Sequence, residues 1–533
     1  MAYRVGDEPR ELRPTPPRAR PYALAMTRVA AGRTLTIMLT PSSAVPLHRQ
    51  IYALIRDGVL GERLKAGQPL PSTRALAGDL GVSRSTIVLA YDQLRAEGYL
   101  TSRRGGVTRV ADAIPERLLR SADPPARAAP PKLPRPLSMS ALEMRDGFGL
   151  RHALLAQSRP PRAFRSGVPA LDAFPIDAWT RSVSAALRRM PPRAMSYGDT
   201  FGVRALREAV ADYLAAARDV RCTAEQVMIT GGSQQALSLC ATVLLDRGDA
   251  VWLEDPFYPG ARGVFELKRA KIVAVGVDAE GLVVDEGRRL APDARAAFVT
   301  PSRQQPLGVT MSLARRLALL AWAREARSWI IEDDYDSEFR FTSRPLTALQ
   351  GLDRDESVIY TGTFSKVMFP SLRLAYAVIP DALHDAFQTA RYLADIHPAY
   401  LEQAALAEFM RSGAFERHVR RMRTMYGERM HALVRAADKY LGGRVRVPAA
   451  DAGMTLVAWL RDDDDDVRVA DAIRRAGVDV GALSAQAAAH RVSPGLLLGY
   501  SGARPAEIDD GVRAIARALE RYDAAHRRGA SGE

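Results

Sequence analysis

The chain contains only two cysteines, Cys222 and Cys240, among its 533 residues. Neither belongs to a CxxC pair or a Cys/His cluster, which excludes a disulfide framework and the usual structural zinc sites. No run of 18 or more apolar residues occurs, so the sequence predicts no membrane span. The arginine- and proline-rich N-terminus lacks the apolar core and small-residue cleavage site of a secretory signal. These absences predict a cytoplasmic protein that holds no metal.

Lysine is scarce as well. Only six of the 75 Lys and Arg residues are lysines. This chain uses arginine at almost every position where a positive charge is enough. A lysine in a stretch of small and apolar residues is therefore a candidate for a chemical role. Lysine, unlike arginine, can become a neutral amine nucleophile. Lys366 occupies such a stretch.

The basic surplus is concentrated at the front of the chain. The formal net charge is +14, and residues 1–111 account for most of it. A localised basic surplus is what a nucleic-acid-binding domain needs, because phosphate neutralisation supplies most of its sequence-independent affinity. Residues 1–40 are basic and proline-rich and predict a flexible extension, and residues 112–160 predict an extended proline-rich linker. An arginine-rich composition without any nucleic-acid partner is the alternative reading.

Residues 41–111 have the layout of a winged helix-turn-helix. Helical spacing from Leu47 to Leu60 is followed by two short helical segments, capped by Ser72 and Ser83, and then by a basic hairpin around a Gly-Gly turn. The third helix of such a domain enters the major groove, and its first turn points side chains at base edges. Any small three-helix domain with a hairpin is the structural alternative.

The stretch PLHRQIYALIRDGVLGERLKAGQPLPSTRALAGDLGVSRSTIVLAYDQLRAEGYLTSRRGGVTRV resembles the GntR family of winged-helix regulators. This resemblance implies that Arg74 and Arg84 contact promoter DNA. Ser85 lies beside Arg84 in the first turn of the third helix, and Arg103 and Arg104 lie at the predicted wing tip. Val88 replaces a further arginine that some members carry one turn later.

From residue 161 to residue 528, buried strand-like runs alternate with helical segments, which predicts an α/β domain with a mostly parallel sheet. We expect a smaller α+β subdomain at about 421–528. The predicted strands are 227–230, 250–253, 271–277, 297–300, 329–332, 357–360 and 374–378. Ligands bind at the carboxyl ends of strands in such sheets.

Three motifs follow these strands. Glycines and a hydroxyl in TGGSQ, residues 230–234, predict a phosphate site at a helix N-terminus. The acidic pair in IEDDY, residues 331–335, needs a cationic partner if it is buried. Lys366 ends GTFSK with hydroxyls around it and Arg373 nearby, which suits a Schiff base beside a phosphate. Taken singly, these motifs also fit a tight turn, a solvated loop and a surface lysine.

Together the motifs resemble fold-type I pyridoxal 5'-phosphate enzymes, and the whole chain resembles the MocR subfamily of GntR regulators. The matching stretches are SYGDTFGVRALREAVADYL, TGGSQQAL, EDPFYPG, TPSRQQPLG, EDDYDSEFRF, GTFSKVMFPSLRLAY and LLLGYSGARPAEIDDGV. The resemblance implies that Lys366 forms the Schiff base, Asp333 pairs with the pyridine nitrogen, Tyr335 binds the ring hydroxyl, and Tyr258 stacks on the ring. Implied phosphate neighbours are Ser233, Gln234, Thr363, Ser365, Arg373 and, from the other subunit of a homodimer, Tyr197.

Two positions depart from the subfamily pattern. Arg303 stands where a histidine is usual, and Leu307 replaces a small hydroxyl residue. No arginine for a ligand carboxylate can be assigned, although Arg491 and Arg504 lie near LLLGY.

The resemblance implies a pyridoxal phosphate-dependent transcription regulator of amine, amino-acid or vitamin B6 metabolism. Its effector would be a small amine, an amino acid or the cofactor itself, and transaminase activity would be residual. An active aminotransferase with an accessory DNA-binding domain, and a sensor of the cofactor without amine chemistry, are the alternatives.

Overall fold

The computed structural model describes residues 25–29, 33–37, 39–40, 43–102, 106–112, 135–139, 141–142, 162–341 and 346–530. Contacts divide the chain into two compact units, Met1–Pro136 and Leu137–Glu533. In the described ranges, no helix is both long and apolar enough to cross a membrane.

The first unit contains three helices and two antiparallel strand pairs among its described residues. These elements are β1 (Ala25–Val29), β2 (Arg33–Ile37), α1 (Leu47–Leu60), α2 (Thr73–Leu80), α3 (Arg84–Ala96), β3 (Leu100–Thr101) and β4 (Arg109–Val110). The β1–β2 pair lies in a segment that the sequence predicts to be irregular. Ser72 and Ser83 cap α2 and α3, each accepting a backbone N–H from three residues further on.

A small apolar core holds the helix-turn-helix together. Ile51 and Ile55 of α1 pack with Leu76 of α2 and with Ile87 and Tyr91 of α3, and all five side chains are fully buried. Their spacing places each on the inner face of its helix, which leaves the polar first turn of α3 facing solvent.

An eight-stranded sheet forms the centre of the second unit. Its order is β5-β12-β11-β10-β9-β6-β7-β8. The strands are β5 (Val227–Thr230), β6 (Ala250–Asp255), β7 (Lys271–Asp278), β8 (Gly281–Leu282), β9 (Ala296–Val299), β10 (Trp329–Asp334), β11 (Val358–Thr363) and β12 (Ala375–Val378). Strands β7, β6, β9, β10 and β11 are parallel, whereas β12 is antiparallel to both β11 and β5. The sheet is therefore mostly parallel, as the sequence predicts.

Helices cover the sheet because its strands are apolar on both faces; β5, β9 and β12 are buried at every residue. The helices are α4 (Ile176–Arg189), α5 (Arg204–Arg218), α6 (Ser233–Leu244), α7 (Pro259–Leu267), α8 (Val284–Leu290), α9 (Leu313–Ala326), α10 (Leu349–Leu352), α11 (His384–Asp395) and α12 (Tyr400–Arg411).

A second, smaller sheet lies towards the C-terminus. It consists of β13 (Thr455–Trp459), β14 (Gly481–Ala482) and β15 (Gly495–Gly499), all antiparallel, in the order β13-β15-β14. The helices α13 (Ala414–Leu441), α14 (Asp466–Arg475) and α15 (Pro505–Ala530) accompany it. This α+β arrangement agrees with the expected C-terminal subdomain.

Candidate cofactor and DNA-binding sites

A cavity of about 920 Å³ lies beside the carboxyl ends of β10 and β11. It brings together nine of the ten residues that the sequence predicts to surround a cofactor. They are Ser233, Gln234, Tyr258, Asp333, Tyr335, Thr363, Ser365, Lys366 and Arg373. A cavity of this size is typical of small-molecule sites.

Lys366 lies three residues beyond the end of β11. Its Nζ donates a hydrogen bond of 2.9 Å to the backbone carbonyl of Gly167, far away in the sequence. Burial lowers the pKa of the Lys366 amine, although the carboxylates of Asp336 and Asp333 oppose this effect. A lowered pKa increases the fraction of neutral amine, the form that attacks a carbonyl carbon.

Asp333 is buried near the end of β10. Its Oδ1 accepts a hydrogen bond of 3.2 Å from Thr361 on the neighbouring strand. Burial raises the pKa of Asp333 to about 7, and Asp334 adds to this effect. Within the described ranges Asp333 forms no ion pair, although the charge of the Lys366 amine lowers the pKa of its carboxyl group.

The opposite end of the cavity is suited to an anion. Gly232 precedes α6 with a φ of 130°, and a Cβ added there would lie 2.5 Å from Nη2 of Arg373. This glycine therefore allows the guanidinium to lie against the start of the helix, whose first N–H groups have no intrahelical acceptor. The hydroxyls of Ser233, Thr363 and Ser365 line the same cavity.

Two tyrosines provide the aromatic lining. Burial raises the pKa of Tyr258 to about 12, and it raises the pKa of Tyr335 above its ordinary value. Both phenols therefore stay protonated near neutral pH and can donate a hydrogen bond. The Tyr335 hydroxyl lies 3.4 Å from Nη1 of Arg303.

Tyr197 lies outside the cavity of its own chain. Its side chain is 79% exposed and contacts the ring of His397 edge-on, with the ring centroids 6.0 Å apart. The predicted phosphate contact is therefore not made within one chain.

Sequence reasoning missed several residues of the cavity. The backbone of Gly167 and the side chains of Arg165 and Asp336 all line it. Arg165 and Gly167 carry no motif that would have identified them, and the fold brings them to Lys366 from about 200 residues away. Asp336 was visible within EDDYDSEF, but only its neighbours had an implied role.

Of the two departures from the subfamily pattern, Arg303 contacts residues that line the cavity. Arg303 is buried and forms an ion pair of 3.3 Å with Asp336, and its Nη2 donates to the Thr455 carbonyl at 2.5 Å. Leu307 packs against the apolar cluster of Val457, Leu483 and Leu497.

Three of the five predicted DNA-contacting residues are described, and all three are exposed near the starts of α2 and α3. Arg84 and Ser85 open α3, and Arg74 is the second residue of α2. The Nε of Arg84 lies 3.4 Å from the hydroxyl of Thr73, next to Arg74, so the two cationic side chains start from adjacent positions. Arg103 and Arg104 lie outside the described residues.

The family models match the two units separately, whereas single relatives match along most of the chain. The model of the family "Bacterial regulatory proteins, gntR family" matches residues 47–110, and that of "Aminotransferase class I and II" matches residues 164–496. The probable rhizopine catabolism regulatory protein MocR of Rhizobium meliloti is 38% identical, covering 91% of this chain and 96% of the relative. The HTH-type transcriptional regulator TauR of Rhodobacter capsulatus is 31% identical, covering 91% and 99%.

Among solved structures, the α-aminoadipate aminotransferase LysN of Thermus thermophilus has a TM-score of 0.66 and 30% identity. The match covers 73% of this chain and 98% of LysN, which was solved with N-(5'-phosphopyridoxyl)-L-leucine. The residues of the cavity fit pyridoxal phosphate: a carboxylate without an ion pair for the ring nitrogen, an amine, and an anion cradle at a helix start. Among the described residues, no cluster of His, Cys, Asp and Glu could hold a metal ion.

Proposed function

Because the chain belongs to the MocR-type regulators, which join a GntR DNA-binding domain to an aminotransferase class I and II domain, we propose how its cofactor cavity controls DNA binding. The chain is a pyridoxal phosphate-dependent transcriptional regulator. We propose that an amine effector, held in the cavity with the cofactor, shifts the affinity of the helix-turn-helix for its operator.

Pyridoxal phosphate supplies an aldehyde that lysine and amine ligands compete to bind, and a ring that withdraws electrons. We assign to Lys366 the covalent attachment and to Asp333 the ring nitrogen, whose positive charge its buried carboxylate complements. Ser233, Gln234, Thr363, Ser365 and Arg373 are assigned to the phosphate. Tyr335 is assigned to the ring hydroxyl, and Tyr258 to the ring face.

The proposal rests on the contact between Lys366 and the segment at the start of the aminotransferase-like domain. This entry segment comprises residues 162–170. The Gly167 carbonyl in its middle accepts the hydrogen bond from Lys366 Nζ, and a Cβ added at Gly167 would overlap that nitrogen. Cofactor attachment and release therefore change the donor available to this segment.

The entry segment is also tied to the C-terminal subdomain. The Phe164 carbonyl accepts from the Gly499 N–H at 3.0 Å, and the Val168 carbonyl accepts from the Ser501 hydroxyl at 2.6 Å. Arg165 forms an ion pair of 2.6 Å with Asp479. A change at Lys366 thus acts on a segment that is held to the subdomain at one side and covalently continuous with the DNA-binding unit at the other.

A homodimer with composite sites is part of the proposal. Tyr197 is exposed and lies outside its own cavity, which supports its assignment to the phosphate of a second chain. A two-fold dimer would also present two helix-turn-helix units to two operator half-sites. Sedimentation of the Tyr197→Phe variant, with its cofactor affinity, tests this assignment: unchanged cofactor affinity in a stable dimer would contradict it.

One observation also favours the alternative of an active aminotransferase: Lys366 has the lowered pKa that a proton-shuttling amine needs. Turnover separates the two functions. The regulator is expected to stay far below the rates of about 1–10³ per second that are usual for enzymes, when it is assayed with panels of amino acids and keto acids.

The experiment that tests the proposal combines covalent trapping with DNA binding. Wild-type protein is loaded with pyridoxal phosphate, reduced with sodium borohydride and digested, and the modified peptide is identified. We expect the modification on Lys366, with none on the matched exposed lysine, Lys271. The reduced protein, whose amine is permanently occupied, is then compared with unreduced protein for binding to duplexes selected from a random pool. Modification elsewhere, or identical responses of both forms to added amines, would contradict the proposal.

A further inference from the structure

The cations of the cofactor cavity are all engaged. Three cationic residues occur among the described residues that line it: Arg165, Lys366 and Arg373. Lys366 is assigned to the cofactor aldehyde and Arg373, beside Gly232, to its phosphate. Arg165 forms an ion pair with Asp479, with N···O distances of 2.6 and 2.8 Å. The described lining thus offers no unpaired cation to a negatively charged ligand group.

The carboxylates of the cavity favour a ligand group that donates a hydrogen bond. Asp333 is assigned to the ring nitrogen, which leaves Asp336 as a second acidic residue of the lining. Asp336 is 1% exposed, and its Oδ1 accepts no hydrogen bond from the described residues. Its other oxygen faces Arg303 at 3.3 Å. A buried acceptor without a donor is costly, and a ligand that supplies the donor removes that cost.

The Asp336–Arg303 pair also fixes the charge that the ligand must carry. Burial raises the pKa of Asp336 to about 6, and Arg303 opposes this rise, so the carboxylate is mainly ionised at pH 7.5. The pair is then neutral overall, as is the Arg165–Asp479 pair. A ligand carboxylate would be desolvated beside Asp336 without a counterion, and a second ligand cation would be desolvated beside Arg303.

The other described residues that line the cavity carry no charge. Strand β15 contributes only glycine and leucine, GLLLG, and Leu497 is buried against Val457, Leu483 and Leu307. Thr300, Gln305, Ser371 and Thr455 are among the neutral polar residues of the lining.

We infer that the effector is an amine whose remaining polar groups are uncharged hydrogen-bond donors, such as hydroxyls, and that Asp336 accepts one of them. The described lining of one chain offers an amino acid no unpaired cation for its carboxylate. This inference rests on the proposed function, because it assumes that the amine binds beside the cofactor.

Three ligands of equal chain length test the inference on the wild-type protein. They are 4-aminobutan-1-ol, 4-aminobutanoate and 1,4-diaminobutane, which differ only in the group distal to the amine. Each is titrated at pH 7.5 into protein loaded with pyridoxal phosphate and freed of excess cofactor. The change in the visible band of the bound cofactor gives an apparent Kd. We expect the amino alcohol to bind at least tenfold more tightly than either of the others.

The Asp336→Asn variant tests whether Asp336 causes the preference for the amino alcohol. Without this carboxylate, the advantage of the amino alcohol over 4-aminobutanoate is expected to fall at least tenfold, because Arg303 then becomes available to the acid. Asp293→Asn, which changes an exposed aspartate outside the cavity, is the matched control and should behave as wild type. If Asp336→Asn does not fold, the three ligands on the wild-type protein decide alone.

Tightest binding by 4-aminobutanoate or by the diamine would overturn the inference and leave the proposed function intact, since an amine would still act through the cofactor. A loaded protein whose band and DNA affinity respond to none of the three amines would contradict the proposed function and, with it, this ligand class.

Discussion

Replacing Asp333 by asparagine is predicted to stabilise the cofactor-free second unit at pH 8 and, in the same protein, to weaken the binding of pyridoxal phosphate. In the folded protein, burial raises the pKa of Asp333 from its ordinary value of 3.8 to about 7. The folded state therefore binds this proton more tightly than the unfolded state does. The stabilisation that results is complete below pH 3.8 and is lost as the pH rises to about 7.

The size of the effect follows from this pH window. Each pKa unit corresponds to about 1.4 kcal/mol, so ionisation of Asp333 costs the cofactor-free wild type about 2–3 kcal/mol between pH 5 and pH 8. Asparagine has nearly the same shape and does not titrate. The stability difference between Asp333→Asn and wild type should therefore grow by that amount over the same interval.

Urea unfolding followed by tryptophan fluorescence measures this difference. All five tryptophans lie in the second unit, so the signal reports that unit alone. With cofactor present the order should reverse, because the ring nitrogen loses its buried partner. Removing one member of such a pair costs roughly 3–5 kcal/mol, or about 100-fold or more in affinity. A stability difference that is equal at pH 5 and pH 8, or a variant that binds the cofactor as wild type does, would refute the reasoning.

Three further predictions concern DNA binding and its control. Arg84→Ala should weaken binding to a selected duplex by about 1–3 kcal/mol, roughly 5- to 150-fold. The control variant Arg324→Ala, which changes an exposed arginine of the second unit, should bind as wild type does. Equal affinities of Arg84→Ala and wild type in a gel-shift titration would show that Arg84 does not contact the DNA. Ser83→Ala removes the side chain that accepts the Thr86 N–H at 3.2 Å, and the loss of about 1 kcal/mol should speed amide exchange in α3 about fivefold; unchanged exchange would count against the cap. Gly167→Ala should leave cofactor attachment to Lys366 detectable by borohydride trapping but abolish the response of DNA affinity to amines, and a full response would argue against the entry segment as the connection.

Much of the fold could be predicted because local patterns decide it. The strand expected at 227–230 and the helix expected at 47–60 occur with those bounds. Buried runs and helical periodicity are properties of residues that are close in the sequence. They predict strands and helices well when helices cover both faces of a sheet. The antiparallel insertion of β12 between β5 and β11 depends on the path of the whole chain, and no local pattern indicates it.

The cofactor cavity could be predicted in part for the same reason. Lys366 and Ser233 each follow a strand, Asp333 lies near the end of another, and the carboxyl ends of parallel strands meet at one edge of the sheet. Gly167 and Arg165 could not be identified, because they reach Lys366 through tertiary folding and act through a backbone carbonyl and an ion pair to a distant aspartate. The charge that Asp336 presents became interpretable only when Arg303 was seen beside it.

We propose that pyridoxal phosphate on Lys366 sets the affinity of the protein for DNA. The most direct test is the Kd of the full-length protein for a duplex selected by the wild type, measured with and without pyridoxal phosphate, for wild type and for Lys366→Ala. The account predicts that the cofactor changes the wild-type Kd at least fivefold and leaves the Kd of Lys366→Ala unchanged, since a ligand shifts an equilibrium only through differential binding. The same response in both proteins, or none in the wild type, would contradict it.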